Sequence, residues 1–208
     1  MNVNIFVTQL SEVSLRDVFN PYRDLCGYHD HSGSPTIRRL NLQLYLETAI
    51  ACGADSVWLG RDCGYRGARR TGIALTDERH LEILEQHFGI NGLVKATVGG
   101  SIKERTATEV WKVIREVNAR VFLWNVFPFH PFETGNPMSN RRHTTREFNE
   151  CSELLICLLE LIKPKRIVAL GADARNRASR LGLQFSSVRH PSYGGQIEFA
   201  DAIRELYK

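Results

Sequence analysis

No apolar run among the 208 residues is long enough to span a bilayer. The opening residues, Met1 to Val7, lack the charged flank and apolar stretch of a secretory signal, so a cytoplasmic protein is expected. No Cys-x-x-Cys pair occurs among the five cysteines, Cys26, Cys52, Cys63, Cys151 and Cys157, and their number is odd. Free thiols in a reducing compartment follow, and the spacing gives no support to an iron–sulfur site. Cys26, His29, Asp30 and His31 lie close together, but no second ligand pair follows them. Neither a metal nor any other cofactor is therefore expected. A Gly-Lys-Ser/Thr phosphate loop and a G-x-G-x-x-G fingerprint are both missing, which disfavours a nucleotide-binding α/β protein. Repeats, low-complexity tracts and linkers are missing too. One domain over residues 1–208 is expected, with 43% hydrophobic residues to supply its core.

What is present concentrates in Ser56–Glu78. Val57-Trp58-Leu59 reads as a buried strand. Gly60, Gly64, Gly67 and Gly72 follow, with Asp62, Arg66, Arg69 and Arg70 among them. Thr76-Asp77-Glu78 reads as an N-cap followed by first-turn acids. The order is strand, glycine-rich loop, helix. A loop after a parallel strand is where open α/β sheets bind ligands. Glycine lets backbone approach a ligand, and arginine suits phosphate. The plain alternative is a surface loop with scattered arginines.

Along the rest of the chain, residues 1–36 look irregular, a folded-back surface segment with turn signals at Asn20-Pro21-Tyr22 and Ser32-Gly33-Ser34-Pro35. Helical spacing predicts helices over 36–52, 77–88 and 107–118, the last opened by a Thr106-x-x-Glu109 capping box. Arg120–Phe127 is a second strand, and Thr144-x-x-Glu147 caps a helix reaching Ile162. Strands at Arg166–Gly171 and Phe185–Val188 and a final amphipathic helix complete the pattern. Alternating strands and helices predict an α/β fold, a parallel sheet with helices on both faces.

In such a sheet three loops meet at one edge: Gly60–Thr76, Asn125–Arg146 and Arg189–Gly195. Arg66, Arg69, Arg70, Arg141, Arg142, Arg146 and Arg189 all fall in them. Net charge is only +4, but this placement suggests a phosphate backbone as partner. Asp62, Asn125 and His190 stand out at the strand ends. Each has a plain reading as a turn aspartate, a satisfied asparagine or a loop histidine. Together, a carboxylate, an amide and an imidazole suit hydrolysis joined to base reading.

From Leu40 to Lys208 these residues resemble the uracil-DNA glycosylase superfamily. Gly60-Arg61-Asp62-Cys63-Gly64, extended by Tyr65-Arg66-Gly67 and Arg70-Thr71-Gly72-Ile73, matches its first motif. Leu123-Trp124-Asn125 matches the second, with Ser139-Asn140-Arg141-Arg142 and Glu147 downstream, and His190-Pro191-Ser192 matches the third. The resemblance implies a three-layer αβα sandwich with a central four-stranded parallel sheet. It implies hydrolysis of the N-glycosidic bond of a flipped base in DNA, by a monomer that needs no membrane. Asp62 would position water and stabilise the sugar cation, and His190 would stabilise the departing base. Asn125 would read the base edge, with Gly64, Leu75 and Tyr65 around it. Arg66, Arg69, Arg70, Arg141, Arg142, Ser192 and Tyr193 would face DNA.

The sequence departs from the family pattern at several positions. Gly64 stands where uracil-specific relatives have tyrosine, and Leu75 where they have a stacking phenylalanine. Gly194, beside Tyr193, replaces an intercalating leucine, and Arg61-Asp62-Cys63 replaces Glu-Ala-Pro of relatives sharing the Gly-Tyr-Arg-Gly extension. An open wall at Gly64 is expected to admit a bulky 5-substituent unless another residue, Tyr65 for instance, fills it. Uracil and a 5-substituted pyrimidine, such as a modified cytosine of phage DNA, stay open as substrates, and with them repair and antiphage defence. The alternative to an enzyme is a catalytically inactive nucleic-acid-binding module, disfavoured because a pure binder needs neither Asp62 nor His190.

Overall fold

The computed structural model describes residues 2–117, 119–192 and 194–208. In chain order the elements are α1 (Val3–Glu12), β1 (Val18–Phe19), α2 (Ser34–Ala51), β2 (Ser56–Gly60), α3 (Ala68–Thr71), α4 (Leu81–Phe88) and α5 (Arg105–Ile114). There follow β3 (Val121–Asn125), β4 (His130–Pro131), α6 (Thr145–Ile162), β5 (Arg166–Leu170), α7 (Ala172–Arg180), β6 (Ser186–Val188) and α8 (Gln196–Leu206).

β2 is the pivot. Every residue of it is buried, as an apolar strand covered on both faces should be. It pairs in parallel with β3 on one side and β5 on the other, and β6 lies beyond β5, giving the order β3-β2-β5-β6. The register sets Val57 beside Phe122 and Leu59 beside Trp124, so these four share one face, while Trp58 and Leu123 share the other. On the first face Tyr45 of α2 stacks on Phe122 at 4.3 Å, and Phe6 of α1 meets Trp124 at 5.8 Å. On the second, Trp58 meets Phe199 of α8 at 6.0 Å, and its indole donates to the Tyr207 hydroxyl at 2.7 Å. α6 packs with α1 and α2, and α5 packs with α8. The protein is a three-layer αβα sandwich on a four-stranded parallel sheet. Among the described residues no helix is long and apolar enough to cross a membrane.

Several local expectations are overturned. Residues 1–36 are not irregular: they hold α1, β1 and the start of α2. Asn2 caps α1 by accepting the Ile5 amide at 2.9 Å, and Phe6, Val7 and Leu10 bury its apolar side. The amide of Asn20 donates to the Leu10 and Val13 carbonyls at 2.7 and 2.9 Å, holding the segment down. Cys26 and His29 are buried rather than on the surface. The Thr76-Asp77-Glu78 stretch does not open a helix. Asp77 instead accepts from Arg79 and His80 in a turn, and α4 starts only at Leu81. The Thr106 box is also absent, because α5 begins earlier, with Glu104 at its N-cap. The Thr144–Glu147 capping box is formed at the start of α6 as expected.

Candidate active site

The β2–β3 register sets Gly60 directly beside Asn125, so the two motifs meet at the same end of the sheet. Glycine is required there by close approach: a Cβ on Gly60 would overlap the Asn125 Oδ1 and lie 3.1 Å from the Leu75 side chain. The loops are then cross-tied. The Cys63 amide donates to the Phe129 carbonyl at 3.0 Å, and the Tyr65 amide to Asn140 Oδ1 at 3.1 Å.

Asn125 is 1% exposed. Its Nδ2 lies 3.7 Å from the buried Cys63 sulfur, and its Oδ1 has no hydrogen-bond partner among the described residues. An unpaired buried amide oxygen costs about 1–3 kcal/mol, so it is an acceptor held ready for a donor. Leu75, at φ 53°, is buried against the same end of the strand.

Asp62 is 7% exposed at its side chain. Its Oδ2 accepts from Arg61 Nε at 2.8 Å and lies 3.3 Å from His143 Nδ1. Arg177 Nε donates to the other imidazole nitrogen of His143 at 3.1 Å, which leaves the ring proton on Nδ1, facing Asp62. His143 is buried and stacked on Phe127 at 4.9 Å. The arrangement fixes one rotamer of Asp62 through two donors.

His190 is half-buried on the loop after β6, and its Cβ sits against Gly171, where a side chain would clash at 2.9 Å. Its Nδ1 accepts from the Ser192 amide at 3.2 Å and contacts the Ser192 hydroxyl at 2.8 Å. The ring proton is therefore on Nε2. Burial, then the charge of Arg61, holds the imidazole below its ordinary value, against Asp62 and Asp173. A neutral ring with a free Nε2–H results.

The arginines divide sharply. Arg69 and Arg70 are 2% and 3% exposed, so neither can grip DNA. Arg69 donates to His130 and the Pro137 carbonyl, both at 2.7 Å, and lies over the Phe19 ring. Arg70 pairs with Glu78 at 3.1 Å and donates to Thr97 at 2.9 Å. Arg141 turns inward as well, bidentate on Glu147 at 2.6 and 2.9 Å. Arg69 and Arg70 brace loops, because a buried guanidinium needs partners, and the half-buried Arg141 does so through its paired bonds to Glu147. Arg66 and Arg142 are exposed, and Ser192 is half-buried. Tyr193 lies outside the described residues.

The open wall at Gly64 is not open. A Cβ there would lie 2.7 Å from Glu104 Oε1, and one on Gly67 would overlap Glu104 Oε2. Tyr65 is half-exposed, its ring under the Arg66 guanidinium at 5.9 Å. Burial pushes the Glu104 carboxyl up to about 7; the Asp77 charge adds to this, and Arg66 and His80 oppose it. Sequence reading missed Arg61, Glu104 and His143. Only the paired glycines hinted at Glu104.

The family model for the uracil DNA glycosylase superfamily matches residues 50–206. Among solved structures the chain is similar to SMUG2 of Pedobacter heparinus, at 12% identity and a TM-score of 0.60, over 98% of this chain and 97% of that one. At that identity the likeness speaks for the fold. No curated protein matches the sequence. The matched family, the sheet order and the placement of the three motifs at one strand edge agree: the chain belongs to the uracil DNA glycosylase superfamily and is a DNA glycosylase, a hydrolase.

Proposed function

We propose that the protein, acting as a monomer, excises an aberrant or modified pyrimidine swung out of DNA, leaving an abasic site. The observation that carries this reading is the buried, unpaired Oδ1 of Asn125 beside its Nδ2 donor. An acceptor next to a donor matches the N3/C4 edge of a pyrimidine, and binding the base relieves the unpaired oxygen.

The chemistry follows from the flanking groups. Breaking the glycosidic bond builds positive charge on the sugar and negative charge on the base. Asp62, fixed by Arg61 and His143, stabilises the sugar cation and orients the attacking water. His190, neutral and with its proton on Nε2, donates to the base oxygen where charge collects. Water adds to the sugar carbon, and its proton ends on solvent or the released base. Leu75 packs on the base, and Arg66, Arg142 and Ser192 contact phosphates. The presence of both Asp62 and His190 favours catalysis over an inactive binding module.

The test is incubation with oligonucleotides carrying uracil, thymine, 5-hydroxymethylcytosine or its glucosylated form, then alkaline cleavage of abasic sites. Cleavage by the wild type that Asn125→Ala abolishes is expected. Intact oligonucleotides throughout the panel, in single and double strands, would leave only the binding module.

A further inference from the structure

We infer that Glu104 selects the base, its carboxyl forming the wall beside carbon 5 and favouring a pyrimidine with a hydroxyl-bearing substituent there over one with a methyl. This rests on the glycosylase reading. In that reading His190 takes the O2 side and Asn125 the N3/C4 edge, which leaves the carbon 5 edge for the remaining wall. Along the Asn125 amide, Oδ1 lies by Gly60 and Nδ2 by Cys63, so Gly64 comes next, on the carbon 4 to carbon 5 side.

Glu104 is built into that position. Its carboxyl rests on Gly64 and Gly67, where any side chain would collide with it. Gly64 has no positive φ, and the approach of Glu104 is what excludes a side chain there. The Glu104 amide donates to Asp77 Oδ2 at 2.6 Å, and Thr106 Oγ1 lies 3.3 Å from the Ser192 hydroxyl, tying the start of α5 to the His190 loop. Although Glu104 is the N-cap of α5, its side chain makes no cap hydrogen bond, and among the described residues its carboxyl has no hydrogen-bond partner. A half-buried acid without a protein partner is open to a ligand. With a proton affinity near neutrality, it can both donate to and accept from a hydroxyl. A methyl group would leave it unpaired, the situation in which polar sites reject apolar analogues strongly.

The experiment compares single-turnover cleavage of 5-hydroxymethyluracil, thymine and uracil in otherwise identical oligonucleotides. Wild type, Glu104→Gln and Glu104→Ala are used, with melting curves to confirm folding. The wild type should cut 5-hydroxymethyluracil about tenfold or more faster than thymine. Glu104→Gln, which keeps shape and hydrogen bonding, should keep most of that ratio, and Glu104→Ala should bring it close to one. Equal wild-type rates on the two bases overturn the assignment even if an alanine variant does not fold, and so does an unchanged ratio in Glu104→Ala. If the wild type cuts no base at all, the glycosylase reading fails first and takes this one with it.

Discussion

Asp62 and Glu104 flank one glycine loop, and their surroundings differ in kind. Asp62 is held by Arg61 at 2.8 Å and His143 at 3.3 Å. Glu104 has glycines against it and a proton affinity raised to about 7. Two carboxyls in one site thereby sit in two settings, which suits the two tasks proposed for them: Asp62 lies between two donors, and Glu104, with a proton affinity near neutrality, has none among the described residues. The difference comes from partners, since both are largely shielded from water.

Removing the charged member tests the contrast most severely. Asp62→Asn keeps the shape and loses the charge, so single-turnover rates should fall roughly 10²–10³-fold, with DNA affinity little changed. Wild-type rates in this variant would end the division of labour proposed for the two acids.

The next largest effect concerns stability. The folded Glu104 binds its proton more tightly than the ordinary 4.5 of a glutamate, so the stabilisation is complete below about 4.5 and lost as pH rises through about 7. Glu104→Gln carries no such dependence. Above pH 8 the variant should be the more stable by on the order of 2 kcal/mol, or about 5 °C in melting temperature, and the gap should close by pH 4. Parallel melting curves of the two proteins across that range would show Glu104 to be an ordinary surface acid.

How far this contrast could be read from the chain depends on how local each signal is. β2 and β3 were plain because strands buried on both faces are continuous apolar runs, and the α6 capping box because its partners are three residues apart. Asp62, Asn125 and His190 stand out as polar residues at or just past strand ends. α1 was missed although Phe6, Val7 and Leu10 follow helical spacing, since ten residues give a short pattern. Glu104 and His143 carry no local signal: each acquires meaning from a residue about 40 or 81 positions away that packing brings alongside. The arginines misled for the same reason. Arg69, Arg70 and Arg141 share a loop neighbourhood with Arg66 and Arg142, and only the partners His130, Glu78 and Glu147 tell them apart.

His143 sharpens the Asp62 side of the comparison. If it acts by positioning Asp62, His143→Ala should lower kcat about tenfold with KM unchanged, the cost of a loosened catalytic group. His143→Asn, which can still present an N–H to the carboxylate, should restore part of the loss. A purely structural role predicts that both variants lower melting temperature alike and that the asparagine rescues nothing.

The smallest effects belong to the two exposed arginines, one on each side. Arg142 lies by Asp173 at 3.5 Å, and Asp173 also receives Arg61, so Arg142 belongs to the Asp62 side. Arg66 belongs to the Glu104 side, where its charge opposes the raised proton affinity of that carboxyl. Each, replaced by alanine, should lower the slope of log affinity against log salt by about one, the signature of one lost phosphate contact. The buried Arg70 should cost stability and leave the slope alone, because it faces Glu78 instead of solvent. Base choice should then separate the exposed pair. Arg142→Ala leaves the surroundings of Glu104 untouched, so its ratio of 5-hydroxymethyluracil to thymine cleavage should match the wild type at every pH. Arg66→Ala removes a cation that favours the ionised carboxyl, so Glu104 should keep its proton to higher pH, and any pH dependence of that ratio should shift upward. Identical ratios in both variants at every pH, alongside a wild-type ratio that does vary, would detach Arg66 from Glu104 and reduce both arginines to phosphate contacts.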